Sequence, residues 1–140
     1  MKVYIGCSLG DVPPEFEMFV QELREAVRAR GCEVMEFLGK ERGVPGEVFR
    51  HDTKQVLNSS IVVTLCDYPS TGLGYEICLA LSSNVPVLAL ARRGVYVSRL
   101  IRGVDREIYQ FKVYDSLQCI LDEFDRVYRL LHPAQQLTLV

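Results

Sequence analysis

Ile61-Val62-Val63-Thr64-Leu65-Cys66-Asp67-Tyr68-Pro69-Ser70-Thr71-Gly72-Leu73-Gly74-Tyr75-Glu76 is the stretch that decides the fold. Its first five residues are β-branched or apolar without alternation, which predicts a strand covered on both faces. Pro69, Ser70, Gly72 and Gly74 then make a turn, and an apolar pattern at helical spacing follows. A strand that runs through a Gly/Ser turn into a helix is half of a β-α-β unit. Glycines let backbone and ligand approach closely, and the unpaired N–H groups of a helix start favour anions. Glu76 is expected in the first turn of this helix, beside that anion-binding backbone.

Working outward, the same alternation recurs. Strands are expected at Lys2–Cys7, Cys32–Phe37, Ser60–Leu65, Val85–Ala91 and Gln110–Tyr114. Phe16, Phe19, Val20, Leu23 and Val27 recur at helical spacing, and Gly31 ends that helix. Further helices are expected over Glu47–Asn58, Thr71–Ser83 and Tyr96–Arg102, with a closing amphipathic helix carrying Leu117, Ile120, Leu121, Phe124, Val127, Tyr128 and Leu131 on one face. Gly39–Gly46, rich in glycine and charge, reads as a mobile loop. The expectation is a single α/β domain over residues 1–132, a doubly wound five-stranded parallel sheet of flavodoxin-like or Rossmann-like order, with residues 133–140 as a tail.

The composition narrows the function. The 140 residues are 49% apolar and 24% charged, with a net charge of −2. That balance offers no electrostatic footprint for nucleic acid or an anionic membrane. No apolar run approaches the ~20 residues of a membrane span. Met1 leads directly into Val3-Tyr4-Ile5 without a basic leader, so a cytoplasmic protein is expected. The cysteines at 7, 32, 66, 78 and 119 are scattered, without CxxC spacing. They read as reduced and mostly buried small residues, and neither metal nor cofactor is expected.

In doubly wound sheets ligands bind at the carboxyl ends of the strands, beside the switch point. The Gly6–Gly10 loop after the first strand and the Ser70–Gly74 turn after the third are therefore expected to share one pocket. The turn lacks the Gly-Lys-Ser/Thr of a P-loop and the spacing of a dinucleotide fingerprint. Taken singly, the candidate residues have ordinary structural uses. Glu76 and Asp52 could serve helix N-termini, for a few tenths of a kcal/mol up to ~1. Tyr4 could be a core ring, Ser8 a turn residue, Ser98 a helix cap and Arg102 a solvated cation. Together they make a second carboxylate, a phenol and several hydroxyls around one Gly-rich turn.

At these residues the chain resembles the nucleoside 2-deoxyribosyltransferase superfamily, and within it the 2′-deoxynucleoside 5′-phosphate N-hydrolase branch. The resemblance is carried by Tyr4 with Ser8, by His51-Asp52, by Pro69-Ser70-Thr71-Gly72-Leu73-Gly74-Tyr75-Glu76, and by Ser98-Arg99-Leu100-Ile101-Arg102-Gly103 with Phe111-Lys112-Val113-Tyr114-Asp115 after it. It runs from Lys2 to about Tyr128. It implies that Glu76 attacks the anomeric carbon of a nucleotide sugar, that Asp52 gives the departing base its proton, and that Tyr4 holds the Glu76 carboxylate. It also implies that Ser70, the backbone at Gly72 and the Ser8 loop bind a 5′-phosphate, with Ser98 reaching that phosphate from the partner in a homodimer. Gly10, part of the same phosphate loop, stands where a relative carries an arginine, and the Gly39–Gly46 loop matches poorly, so base preference does not carry over. The implied activity is hydrolysis of a nucleoside 5′-monophosphate to free base and sugar 5-phosphate. The alternatives are deoxyribosyl transfer to a second base, or a nucleotide-binding module without chemistry.

Overall fold

Strand β1 (Lys2–Cys7) lies between β2 (Glu33–Met35) and β3 (Ile61–Leu65), and β4 (Val87–Arg92) and β5 (Tyr109–Tyr114) continue the sheet beyond β3. All pairings are parallel, giving the order β2-β1-β3-β4-β5, with Val3 to Cys7 in register with Ile61 to Leu65. This is the flavodoxin-like of the two expected orders, and its direction reverses between β1 and β3. The structure is a computed structural model and describes residues 1–8, 10–37 and 43–134.

The period of two along the strands divides the apolar residues between two cores. Val3, Ile5, Ile61, Val63, Leu65, Leu88 and Leu90 face one side. There they pack on Phe16, Val20, Leu23 and Val27 of α1 (Pro14–Ala29) and on Ile120, Phe124 and Val127 of α5 (Leu117–Leu131). The Arg30–Asp125 pair, 2.7 Å between charged atoms and buried at both ends, joins the same two helices. On the other side Tyr4, Val62, Val87 and Ala89 meet Val56 of α2 (Pro45–Leu57) and Leu73, Ile77 and Ala80 of α3 (Thr71–Ser82). Both faces are therefore covered, as a parallel sheet requires.

Several boundaries differ from expectation, and three of them have a visible cause. β2 is shorter than Cys32–Phe37, because Glu36 turns out to the Arg24 and Arg28 side chains and Phe37 lies under the Arg24 guanidinium at 5.1 Å. β4 begins two residues later than Val85, whose N–H closes the end of α3 by donating to the Ala80 carbonyl at 2.8 Å. Helix α4 (Arg99–Arg102) is shorter than Tyr96–Arg102, because Ser98 caps it and residues 96–98 are not helical. Residues 39–42 of the expected mobile loop and residues 135–140 of the expected tail lie outside the described residues. The cysteines are free, but only Cys32 and Cys66 are buried; Cys7 and Cys119 are half-buried and Cys78 is exposed. Among the described residues no helix is long and apolar enough to cross a membrane.

Candidate active site

Tyr4 points from β1 into the core beneath α3, and its hydroxyl donates to Glu76 Oε1 at 2.8 Å. Glu76 is the sixth residue of α3, so it sits in the second turn and not the first as expected. At that depth its carboxylate serves no unpaired helix N–H, and it turns toward the switch point of the sheet instead. Asp52 is likewise displaced from its expected place near a helix start. Pro45 opens α2 two residues earlier than Glu47, a favoured position for a residue without an N–H, and this leaves Asp52 in the middle of the helix. Asp52 is close enough for its charge to act on both Glu76 and Tyr4. The ordinary helix-end uses of both carboxylates are thereby removed.

Burial pushes the Glu76 carboxyl up to about 7; the Tyr4 hydrogen bond pulls it down and the Asp52 charge adds to the rise. The Tyr4 phenol is driven far above its usual range, first by burial and then by the Glu76 charge, so it remains a donor. Two carboxyl groups and a protonated phenol thus converge, one of them poised to change charge near neutrality.

Gly6 makes this geometry possible, and sequence reading did not single it out. A Cβ at Gly6 would lie 2.9 Å from Glu76 Oε2 and 3.1 Å from both Leu73 Cδ1 and Tyr4 Cε1. Only a residue without a side chain lets the carboxylate settle against β1. The available signal was a glycine inside an apolar strand, which marks a close approach.

The three candidate serines share one arrangement. Ser8 accepts from the Gly10 N–H at 3.2 Å, Ser70 from the Leu73 N–H at 3.2 Å, and Ser98 from the Leu100 N–H at 3.2 Å. Each hydroxyl uses a lone pair locally and keeps its O–H to donate elsewhere. Ser70 and Ser98 are the N-caps of α3 and α4, and within one chain they line the same cavity of about 330 Å³, with Tyr68, Leu73, Tyr96 and Ile101 among its walls. That cavity brings Ser70 together with Ser98, and Ser8 is not among its described walls. Ser8 is 5% exposed. Leu73 both lines the cavity and lies beside Glu76 at Gly6. Gly72 is exposed, with the Ser70 hydroxyl 3.8 Å from where its Cβ would be. Arg102 is exposed, and its Nε donates to the Val97 carbonyl at 3.0 Å, which ties it to the segment before Ser98.

Among the described residues no group of three or more His, Cys, Asp or Glu side chains could hold a metal ion. Burial raises the Cys7 thiol to about 11, which leaves it a poor nucleophile.

No protein-family model matches the chain. A protein of Thermofilum pendens named "Putative 2'-deoxynucleoside 5'-phosphate N-hydrolase 1" is 32% identical over 135 residues, covering 89% of this chain and 93% of its own. Among solved structures, Clostridium botulinum CMP N-glycosidase superposes with a TM-score of 0.69 at 17% identity, over 89% of this chain and 99% of that one. A 2-deoxyribosyltransferase of Bacillus psychrosaccharolyticus gives 0.66 at 17% identity, over 86% and 90%. The structural likenesses establish the fold, and the sequence relationship goes further: the chain belongs to the 2′-deoxynucleoside 5′-phosphate N-hydrolase family.

Proposed function

We propose that this protein is an N-glycosidase that hydrolyses (2′-deoxy)nucleoside 5′-monophosphates to free base and (deoxy)ribose 5-phosphate. The observation that carries the reading is the part-buried Tyr4–Glu76 hydrogen bond at the switch point, with Asp52 within electrostatic reach of both. Membership of the N-hydrolase family supports the N-glycosyl chemistry.

In this mechanism Glu76 attacks C1′ as a carboxylate. Its Oε1 is engaged by Tyr4, which leaves Oε2 to form the bond to the sugar. The C1′–N bond breaks, its electron pair leaves with the base, and Asp52 gives the departing nitrogen a proton. Positive charge on the sugar ring is stabilised by the nearby carboxylate. Water then attacks C1′ of the glycosyl ester, Asp52 takes its proton, and Glu76 is released. Two displacements give net retention at C1′. The raised carboxyl of Glu76 lowers the penalty of neutralising it as the ester forms.

The 5′-phosphate is read by the hydroxyls of Ser70 and Ser98, the Ser8–Gly10 loop and the backbone at Gly72. Binding energy gained at this remote group orients C1′ against Glu76, so loss of the phosphate lowers turnover as well as affinity. The active assembly is a cytoplasmic homodimer in which Ser98 completes the partner's site. Tyr96 and Leu100, 78% and 80% exposed on either side of Ser98, support an interface there. The domain comprises residues 1–132, followed by the tail.

The test is incubation with the common ribo- and deoxyribonucleoside 5′-monophosphates and their nucleosides, with free base followed by chromatography. Base release from monophosphates and not from nucleosides is expected. Exchange onto an added second base, without net hydrolysis, would identify a transferase instead.

A further inference from the structure

We propose that His51 is a positioning residue for Asp52, holding its carboxylate in the orientation needed for proton exchange with base and water. The proposal rests on the reading of Asp52 as the group that protonates the base.

His51 and Asp52 are consecutive on α2, and consecutive helical side chains diverge by about 100° and do not normally face each other. Here they meet: His51 Nδ1 lies 2.9 Å from Asp52 Oδ1. The far ring nitrogen is also engaged, because Gln55, one turn on, brings its amide nitrogen to 3.5 Å from His51 Nε2. With the Gln55 amide nitrogen as donor, Nε2 accepts and Nδ1 presents the N–H that faces Asp52. The result is a directed chain along α2, with Gln55 donating to His51 and His51 to Asp52. The carboxylate at its end is 17% exposed and the imidazole 34%, so the chain runs from the protein surface inward toward Tyr4 and Glu76.

Such a chain fits the proton demands on Asp52. Between giving its proton to the base and taking one from water, Asp52 is a carboxylate beside the Glu76 glycosyl ester. An Nδ1–H bond to Oδ1 stabilises that anion and fixes the plane of the carboxylate. No proton needs to leave His51, because the attacking water returns the one that the base removed.

The experiment is steady-state base release from a deoxynucleoside 5′-monophosphate by wild type, His51→Ala, His51→Asn, Asp52→Asn and the double variant His51→Ala/Asp52→Asn, each checked for folding by circular dichroism. His51→Ala should lower kcat about tenfold, the size of one hydrogen bond to a charged group, with KM little changed. Asparagine can present an amide N–H where Nδ1 stands, so His51→Asn should recover most of the loss. The double variant should be no slower than Asp52→Asn alone, since a positioning residue has nothing left to position. Unchanged kcat in His51→Ala, or a full added loss in the double variant, would overturn the proposal while leaving the Asp52 reading intact. Wild-type kcat in Asp52→Asn would overturn both at their common root.

Discussion

The Tyr4 hydroxyl meets Glu76 Oε1 at 2.8 Å across 72 positions of sequence, joining the first strand to the helix after the third. The bond spans the sheet's switch point, and it selects which carboxylate oxygen is held. Removing it should cost turnover and also shift the pH dependence. Because this bond holds the Glu76 carboxyl below where burial alone would set it, Tyr4→Phe should move the acid limb of kcat/KM to higher pH. A tenfold fall in kcat, about 1.4 kcal/mol, is expected with that displacement. Rate profiles of both proteins over the same pH range provide the check; an unmoved acid limb would detach Tyr4 from Glu76.

The raised carboxyl predicts a stability effect of definite sign. Glu76 titrates at about 7 when folded, against an ordinary value of 4.5. Between those values the folded protein keeps a proton that the unfolded chain gives up, so this group's contribution is fully present below 4.5 and is lost as pH rises through 7. Glu76→Gln removes the buried charge and should be more stable than wild type at pH 8, by about 1–3 kcal/mol. The advantage should vanish near pH 4. Urea unfolding of both proteins at the two pH values tests the sign.

Gly6 offers a steric test of the same site. A methyl group there would press on Glu76 Oε2, Leu73 and Tyr4 at once. Gly6→Ala should therefore lower base release at least about tenfold while costing about 1–3 kcal/mol of stability, the range for overpacking a core. Activity and thermal unfolding measured together separate the two effects. Full activity would mean that Glu76 need not rest against β1.

Subunit mixing tests the role of Ser98. If Ser98 serves the partner's site, a mixed dimer of Glu76→Gln and Ser98→Ala chains contains one site with both residues intact. Co-refolding the two variants should restore activity above that of either alone. No recovery would mean that Ser98 acts within its own chain, where it shares a cavity with Ser70.

Much of this architecture was legible because parallel strands are written as continuous apolar runs. Ile61 to Leu65 is one such run, and β1 matched its expected bounds Lys2–Cys7. Boundaries set by long-range or capping interactions were not legible. Glu36 leaves β2 for arginines on α1, and Val85 is taken by the end of α3. The local chemistry of Tyr4, Asp52 and Glu76 could be named from residue types, but their convergence depends on strand order, which no single segment encodes. The need for Gly6 and the His51–Asp52 contact were hidden for the same reason: each is a relationship of side chains in space. Ser98 beside Ser70 illustrates the converse, since the resemblance named both serines while the fold alone brings them to one cavity.

The central claim is that Glu76 is the nucleophile, and base release by Glu76→Gln tests it most directly. Wild type and variant are incubated with a deoxynucleoside 5′-monophosphate at equal concentration and pH, and free base is quantified by chromatography. The account predicts a folded variant whose rate is lower by roughly a thousandfold or more, the scale on which enzymes lose turnover when a covalent nucleophile is removed. Release within a few fold of wild type would contradict it.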